Sequence, residues 1–172
     1  MAETYGADTT QIENPGEITV FILDYLMNAP AKMINVLFQL LRAKSAPRVI
    51  LETSLEAYKK TNNERYLTVA KSLLEDFGKE AWPTLRYLSK SNHPECDLFV
   101  RLIAQCAEVP AMERATALTN IAKHPNKYVR SQVPEFLPLF GKEDQIRILQ
   151  VLMNDSDPEI KEEADGLRGI NG

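Results

Sequence analysis

His124-Pro125-Asn126-Lys127-Tyr128-Val129-Arg130 and Asn154-Asp155-Ser156-Asp157-Pro158-Glu159-Ile160-Lys161 carry the same pattern twice. In each, a short polar stretch and an X-Pro pair lead into an aliphatic residue, and the two aliphatic residues, Val129 and Ile160, stand 31 positions apart. Working back along the chain at the same interval gives Leu98, Leu67 and Val36, and four residues beyond each anchor lie Leu40, Lys71, Leu102, Val133 and Ala164. Only Lys71 interrupts the second column. Ala29-Pro30 and His93-Pro94 precede two further anchors as His124-Pro125 and Asp157-Pro158 precede theirs. Apolar residues at i and i+4 point to helix, and a recurrence of this length points to an array of supersecondary units.

A 31-residue period is filled by two helices of about 11 to 12 residues and two short turns, whereas strands leave it unexplained. The expected fold class is therefore all-α: about five antiparallel helix pairs over residues 17–44, 46–78, 79–109, 110–140 and 141–170, stacked in two layers as an α-solenoid. One pair alone cannot bury its apolar stripe, so the stack supplies the core. Proline at the start of the second helix of a pair suits a position whose N–H has no intrahelical partner. Asp157 and Asn62 or Asn63 are expected caps, and Gly78 and Gly141 fall where second helices should end. Pro134 and Pro138 should kink or shorten the fourth second helix. Residues 1–16 hold Gly6, Pro15 and Gly16 with few apolar side chains and no periodicity, and are expected to form an acidic, flexible arm ahead of a single solenoid domain at 17–172.

Apolar residues make up 44% of the chain and charged residues 26%, which suits one cored domain and excludes a disordered composition. No run is long enough to span a bilayer, and the start lacks the basic then apolar order of a signal sequence, so a soluble cytoplasmic protein with no membrane partner is expected. Residues 1–24 carry five acids and no Lys or Arg, whereas residues 25–150 carry 18 bases against 13 acids. That modest basic excess falls short of a dedicated nucleic-acid footprint, and solvated helix faces account for it better than an acidic partner does.

Candidate chemistry is sparse. His93 and His124 recur one period apart, but equivalent positions in stacked repeats lie about 8–10 Å apart, too far for two ligands to share a zinc ion. Cys96 and Cys106 lack zinc-ligand spacing and are expected to be reduced packing residues, and no flanking motif marks either as a nucleophile beside His93. No phosphate loop or nucleophile elbow occurs. No cofactor, metal or catalytic residue is expected. Trp82 is expected to be buried between repeats in preference to anchoring a partner.

The acidic turn, proline, aliphatic and basic order at 154–161, its longer counterpart at 124–130, and the spaced leucines of Trp82-Pro83-Thr84-Leu85-Arg86-Tyr87-Leu88 resemble HEAT repeats, most closely in the last two pairs. The period is shorter than the roughly 40–47 residues usual for HEAT units and is similar to the short HEAT-like repeats of phycobilisome lyase-type proteins; tetratricopeptide and ankyrin signatures are missing. The resemblance implies a non-enzymatic protein-binding module or scaffold whose second helices line the binding face. On that face helical phase places Gln39, Arg42, Arg65, Lys71, Arg101, Arg130 and Gln132, a row of five bases and no acid. Two other functions follow from the resemblance: an accessory or lyase subunit of the phycobilisome type, and nucleic-acid binding as in HEAT-like DNA glycosylases, for which no matching set of aromatic and acidic residues is present.

Overall fold

The computed structural model describes residues 15–170, with the side chains at 15–16, 31–32, 94 and 168–170 excepted. The expected arm thus lies, up to residue 14, outside the described residues. Among those described, the chain is all-helical and contains no strand. It divides into two compact units, one running to Leu73 and the other beginning at Leu74.

The first unit contains α1 (Pro15–Asn28), α2 (Ala31–Lys44), α3 (Pro47–Thr61) and most of α4 (Arg65–Phe77). Local chemistry sets each break. Pro30 stands in an extended conformation ahead of α2, and Pro47 opens α3 where its missing N–H costs nothing. Asn62 ends α3 in the left-handed region, at φ 54°, and its N–H donates to the Tyr58 carbonyl. Asn63 Oδ1 then accepts from the Arg65 N–H at 3.1 Å and caps α4. α1 packs against both α2 and α3. Ile22, Leu23 and Leu26 of α1, Leu37 and Leu41 of α2, and Ile50, Leu51 and Leu55 of α3 are buried. The buried hydroxyls of Thr19 and Ser45, 2.6 Å apart, tie α1 to the end of α2.

The second unit takes in the end of α4 and continues through a 3-10 turn (Gly78–Ala81) and α5 (Trp82–Leu88). A further 3-10 turn (Pro94–Cys96) leads into α6 (Asp97–Gln105), followed by α7 (Ala111–Ile121), α8 (Lys127–Ser131), a 3-10 segment (Pro134–Leu139), α9 (Lys142–Leu152) and α10 (Pro158–Ile170). α6 packs on α5, α7 and α8; α7 packs on α9, and α9 on α10. Asn126 caps α8 through the Tyr128 N–H at 2.9 Å, and Asp157 caps α10 through the Glu159 N–H at 3.1 Å. Pro134 and Pro138 do shorten the fourth second helix: α8 stops at Ser131, and the chain continues as a 3-10 segment in which the missing proline N–H groups are tolerated. Gly141 stands in extended backbone ahead of α9.

The anchor column is buried at Leu67, Val129, Val133, Ile160 and Ala164. It is not buried at Val36, Leu40 and Leu98, which are 64%, 41% and 39% exposed. In α2 and α6 the core falls one residue later, on Leu37 and Leu41 and on Phe99 and Ile103. One residue is a rotation of about 100° around a helix. Before α6 the cause is visible, since the 3-10 turn at Pro94–Cys96 winds at three residues per turn and carries Cys96 into the core, resetting the phase that follows. In α2 both columns are apolar, and packing selects the later one.

Candidate interaction surfaces

The seven residues of the expected row are divided between the two units and differ in exposure. Gln39, Arg42, Arg65 and Lys71 belong to the first unit, and Arg101, Arg130 and Gln132 to the second. Gln39, Arg65, Arg101 and Gln132 are exposed, while Arg42 and Lys71 are half-buried.

Arg130 is a correction, because it is buried and committed within the fold. Its Nε and Nη2 donate to both carboxylate oxygens of Asp155, at 2.7 and 2.9 Å, and its Nη1 donates to the carbonyls of His124 and Pro125. A planar fork matched to a carboxylate explains the choice of arginine. Burial works against ionisation of Asp155, but the hydrogen bonds from Arg130 and from the Asp157 N–H outweigh it and hold the carboxyl below its ordinary range. Arg101 also meets an acid outside the row: its Nη2 donates to Glu135 at 2.8 Å while its guanidinium lies 5.8 Å from the Phe136 ring centre. Helical phase missed Asp155 because that acid lies in the following turn, 25 residues on.

Arg65 donates from Nη1 to the Met27 carbonyl at 3.0 Å, at one end of an open groove of about 630 Å³ between α1, α3 and the start of α4. Glu17, Asp24, Glu56, Lys60 and Tyr66 line it with both signs of charge. Tyr66 donates its hydroxyl to Asp24 at 2.7 Å; that bond, then burial and the Asp24 charge, push the phenol pKa up, so Tyr66 acts as a hydrogen-bond donor and not as a base near neutral pH.

The thiols are equally unsuited to attack. Burial pushes Cys96 up to about 12, and burial followed by the Glu108 charge raises Cys106, which lines a smaller groove of the second unit. Both are protonated near neutral pH, and the thiolate is the nucleophile. His124 is buried and accepts the Asn126 N–H at its Nδ1, 3.0 Å away, while His93 lies beside Glu95. Among the described residues no group of three or more His, Cys, Asp and Glu is placed to hold a metal ion, and no helix is long and apolar enough to cross a membrane. Trp82 is buried and donates its indole N–H to Glu113 at 3.0 Å.

The feature that sequence phase misplaced is the face of α2. Met33, Ile34, Val36, Leu37, Phe38, Leu40 and Leu41 make this helix apolar around most of its circumference, yet only Leu37 and Leu41 among them are buried. Val36, Gln39 and Leu40, with Ala43, form an exposed stripe at helical spacing. The neighbouring helix α1 exposes Phe21 and Tyr25, again four residues apart, at 58% and 48%.

No protein-family model matches the chain, and no similar protein was found among curated proteins or solved structures.

Proposed function

We propose that the chain is a non-enzymatic protein-binding module built from helix pairs of the short HEAT-like kind, arranged as an α-solenoid of about five pairs, with the second helix of the first pair as its principal docking surface. The arrangement is supported by ties that recur near the repeat length: Trp82 to Glu113 spans 31 residues, and Lys127 to Glu159 spans 32. Both ties lie within the second unit and join positions about one repeat apart, as stacking of helix pairs there requires.

The exposed stripe on α2 carries the binding assignment. A helix that is apolar around most of its circumference is ordinarily covered on more than one side, and here the stripe through Val36 and Leu40 faces solvent. Of the expected row, Gln39 and Arg42 lie on this helix, so part of that surface is retained while Arg130 leaves it.

The test is capture by the immobilised full chain from its native cell extract, beside Leu40→Asp and Gln39→Ala variants whose helicity and melting match the wild type. Stoichiometric capture by the wild type and its loss with Leu40→Asp is the expected result. Equal capture by all three chains overturns the assignment to α2.

A further inference from the structure

Five of the eleven large apolar side chains exposed among the described residues, Val20, Phe21, Tyr25, Val36 and Leu40, lie on α1 and α2. The same two helices divide the charge. α1 carries Glu17 in its first turn and Asp24, which accepts the Tyr66 hydroxyl, and no base; α2 carries Arg42 and Lys44 in its last turn and no acid. An acidic, aromatic stripe on α1 and a basic, aliphatic stripe on α2 are complementary to one another, the condition for an isologous two-fold contact between copies.

We infer that the partner seated on the α2 face is a second copy of this chain, with α1 of each copy lying antiparallel against α2 of the other. This rests on the protein-binding reading above and names the occupant of the same face. The register follows from the spacings. Setting Phe21 against the other copy's Leu40 places Tyr25 against its Val36 and Glu17 against its Lys44, because steps of four up α1 meet steps of four down α2. Two aromatic residues then cover two aliphatic ones, and an acid in the first turn of α1 meets a base in the last turn of α2, where each also suits its own helix dipole.

A two-fold axis running along the helices generates this arrangement. Rotation about such an axis leaves helix directions unchanged, so an up-running α1 faces a down-running α2. It also keeps each residue at its own height. The α1–α2 hairpin turns at Ala29-Pro30, so Phe21 already stands near the level of residues 38–40 within its own chain, and the same levels meet across the axis.

Phe21 and Tyr25 alone leave roughly 200 Å² uncovered, at 58% and 48% of about 150–250 Å² for each aromatic side chain, and Val36 and Leu40 add to it. That is well below the roughly 800 Å² per partner of a standard interface, which puts the contact in the weak, reversible class.

Sedimentation velocity of the full chain over a micromolar to submillimolar concentration series tests the inference. The expected result is a monomer–dimer equilibrium that Leu40→Asp abolishes and that Lys44→Glu weakens about tenfold, with Glu17→Lys restoring it in the Lys44→Glu background. Mixing Phe21→Cys chains with Leu40→Cys chains under oxidation should give a disulfide-linked pair, whereas Phe21→Cys chains alone should not cross-link through that position. A chain that stays monomeric throughout overturns the inference, and so does a dimer indifferent to both Leu40→Asp and Lys44→Glu. A monomer that still captures a different protein through Leu40 leaves the binding-module reading standing and removes only the second copy as occupant.

Discussion

Arg130→Met tests whether the buried fork between α8 and the turn before α10 holds the second unit together. The substitution keeps the stem volume and removes four hydrogen bonds, two to Asp155 and one each to the carbonyls of His124 and Pro125. Asp155 keeps the Asp157 N–H at 2.8 Å but is left as a buried carboxylate without a counter-charge. Breaking one side of a buried pair costs about 3–5 kcal/mol, which for a chain of this size lowers the melting temperature by on the order of 10 °C. Arg130→Lys should recover little, because an ammonium cannot serve two carboxylate oxygens and two carbonyls at once. Arg130→Met/Asp155→Leu should recover part of the loss, since the unpaired charge is gone while the two carbonyls still lack their donor. The assay is urea unfolding followed by helical circular dichroism across a pH series. The folded-state pKa of Asp155 lies below its ordinary value of 3.8, so its contribution is present above that value and is lost as pH falls through the folded pKa. The difference between the wild type and the double variant should therefore be constant at neutral pH and shrink below about pH 3.8. A loss under about 1 kcal/mol for Arg130→Met refutes the reasoning, since that is the range of an exposed pair.

Two further outcomes follow from burial and backbone geometry. Ile103→Ala should cost about 2–5 kcal/mol and Leu102→Ala clearly less, because the core of α6 lies on Phe99 and Ile103 and Leu102 is half-buried; equal losses in thermal melts would place the anchor column back in the core. Gly78→Ala should cost about 1–2 kcal/mol while Gly78→Asn costs less, because Gly78 holds φ +55° at the end of α4. An added Cβ would also stand 2.7 Å from Glu108 Oε2, displacing the carboxylate that accepts the Lys79 N–H. Melting curves of the three chains check both the size and the order.

The helical class was legible because it depends on short-range chemistry. Asp157 and Asn63 cap where side-chain oxygens reach nearby N–H groups, Asn62 and Gly78 adopt left-handed backbone at helix ends, and Pro134 and Pro138 stop a helix by lacking donors. Such effects are settled within a few residues, so sequence order suffices to find them. The buried fate of Trp82 was legible for a related reason, since a large apolar ring at a core-facing phase has few alternatives.

The candidate surface was only half legible. Helical phase puts Gln39 and Arg42 on one helix, but it also makes Arg130 an exposed base, and it buries Val36 and Leu40. Phase measures angle around one helix and contains no information about what stands opposite. Arg130 meets an acid 25 residues away, and α2 has two adjacent apolar columns between which its own sequence does not choose.

The all-helical course of the described chain, the sites of its breaks and the caps that make them can be read from residue order, because they arise from local backbone and side-chain energetics. Packing selects which face of each helix is covered: Leu37 and Leu41 inside while Val36 and Leu40 stay out, and Arg130 inside with Asp155. Burial and ion pairing reward contacts between residues far apart in the chain, and those contacts exist only once the helices have packed.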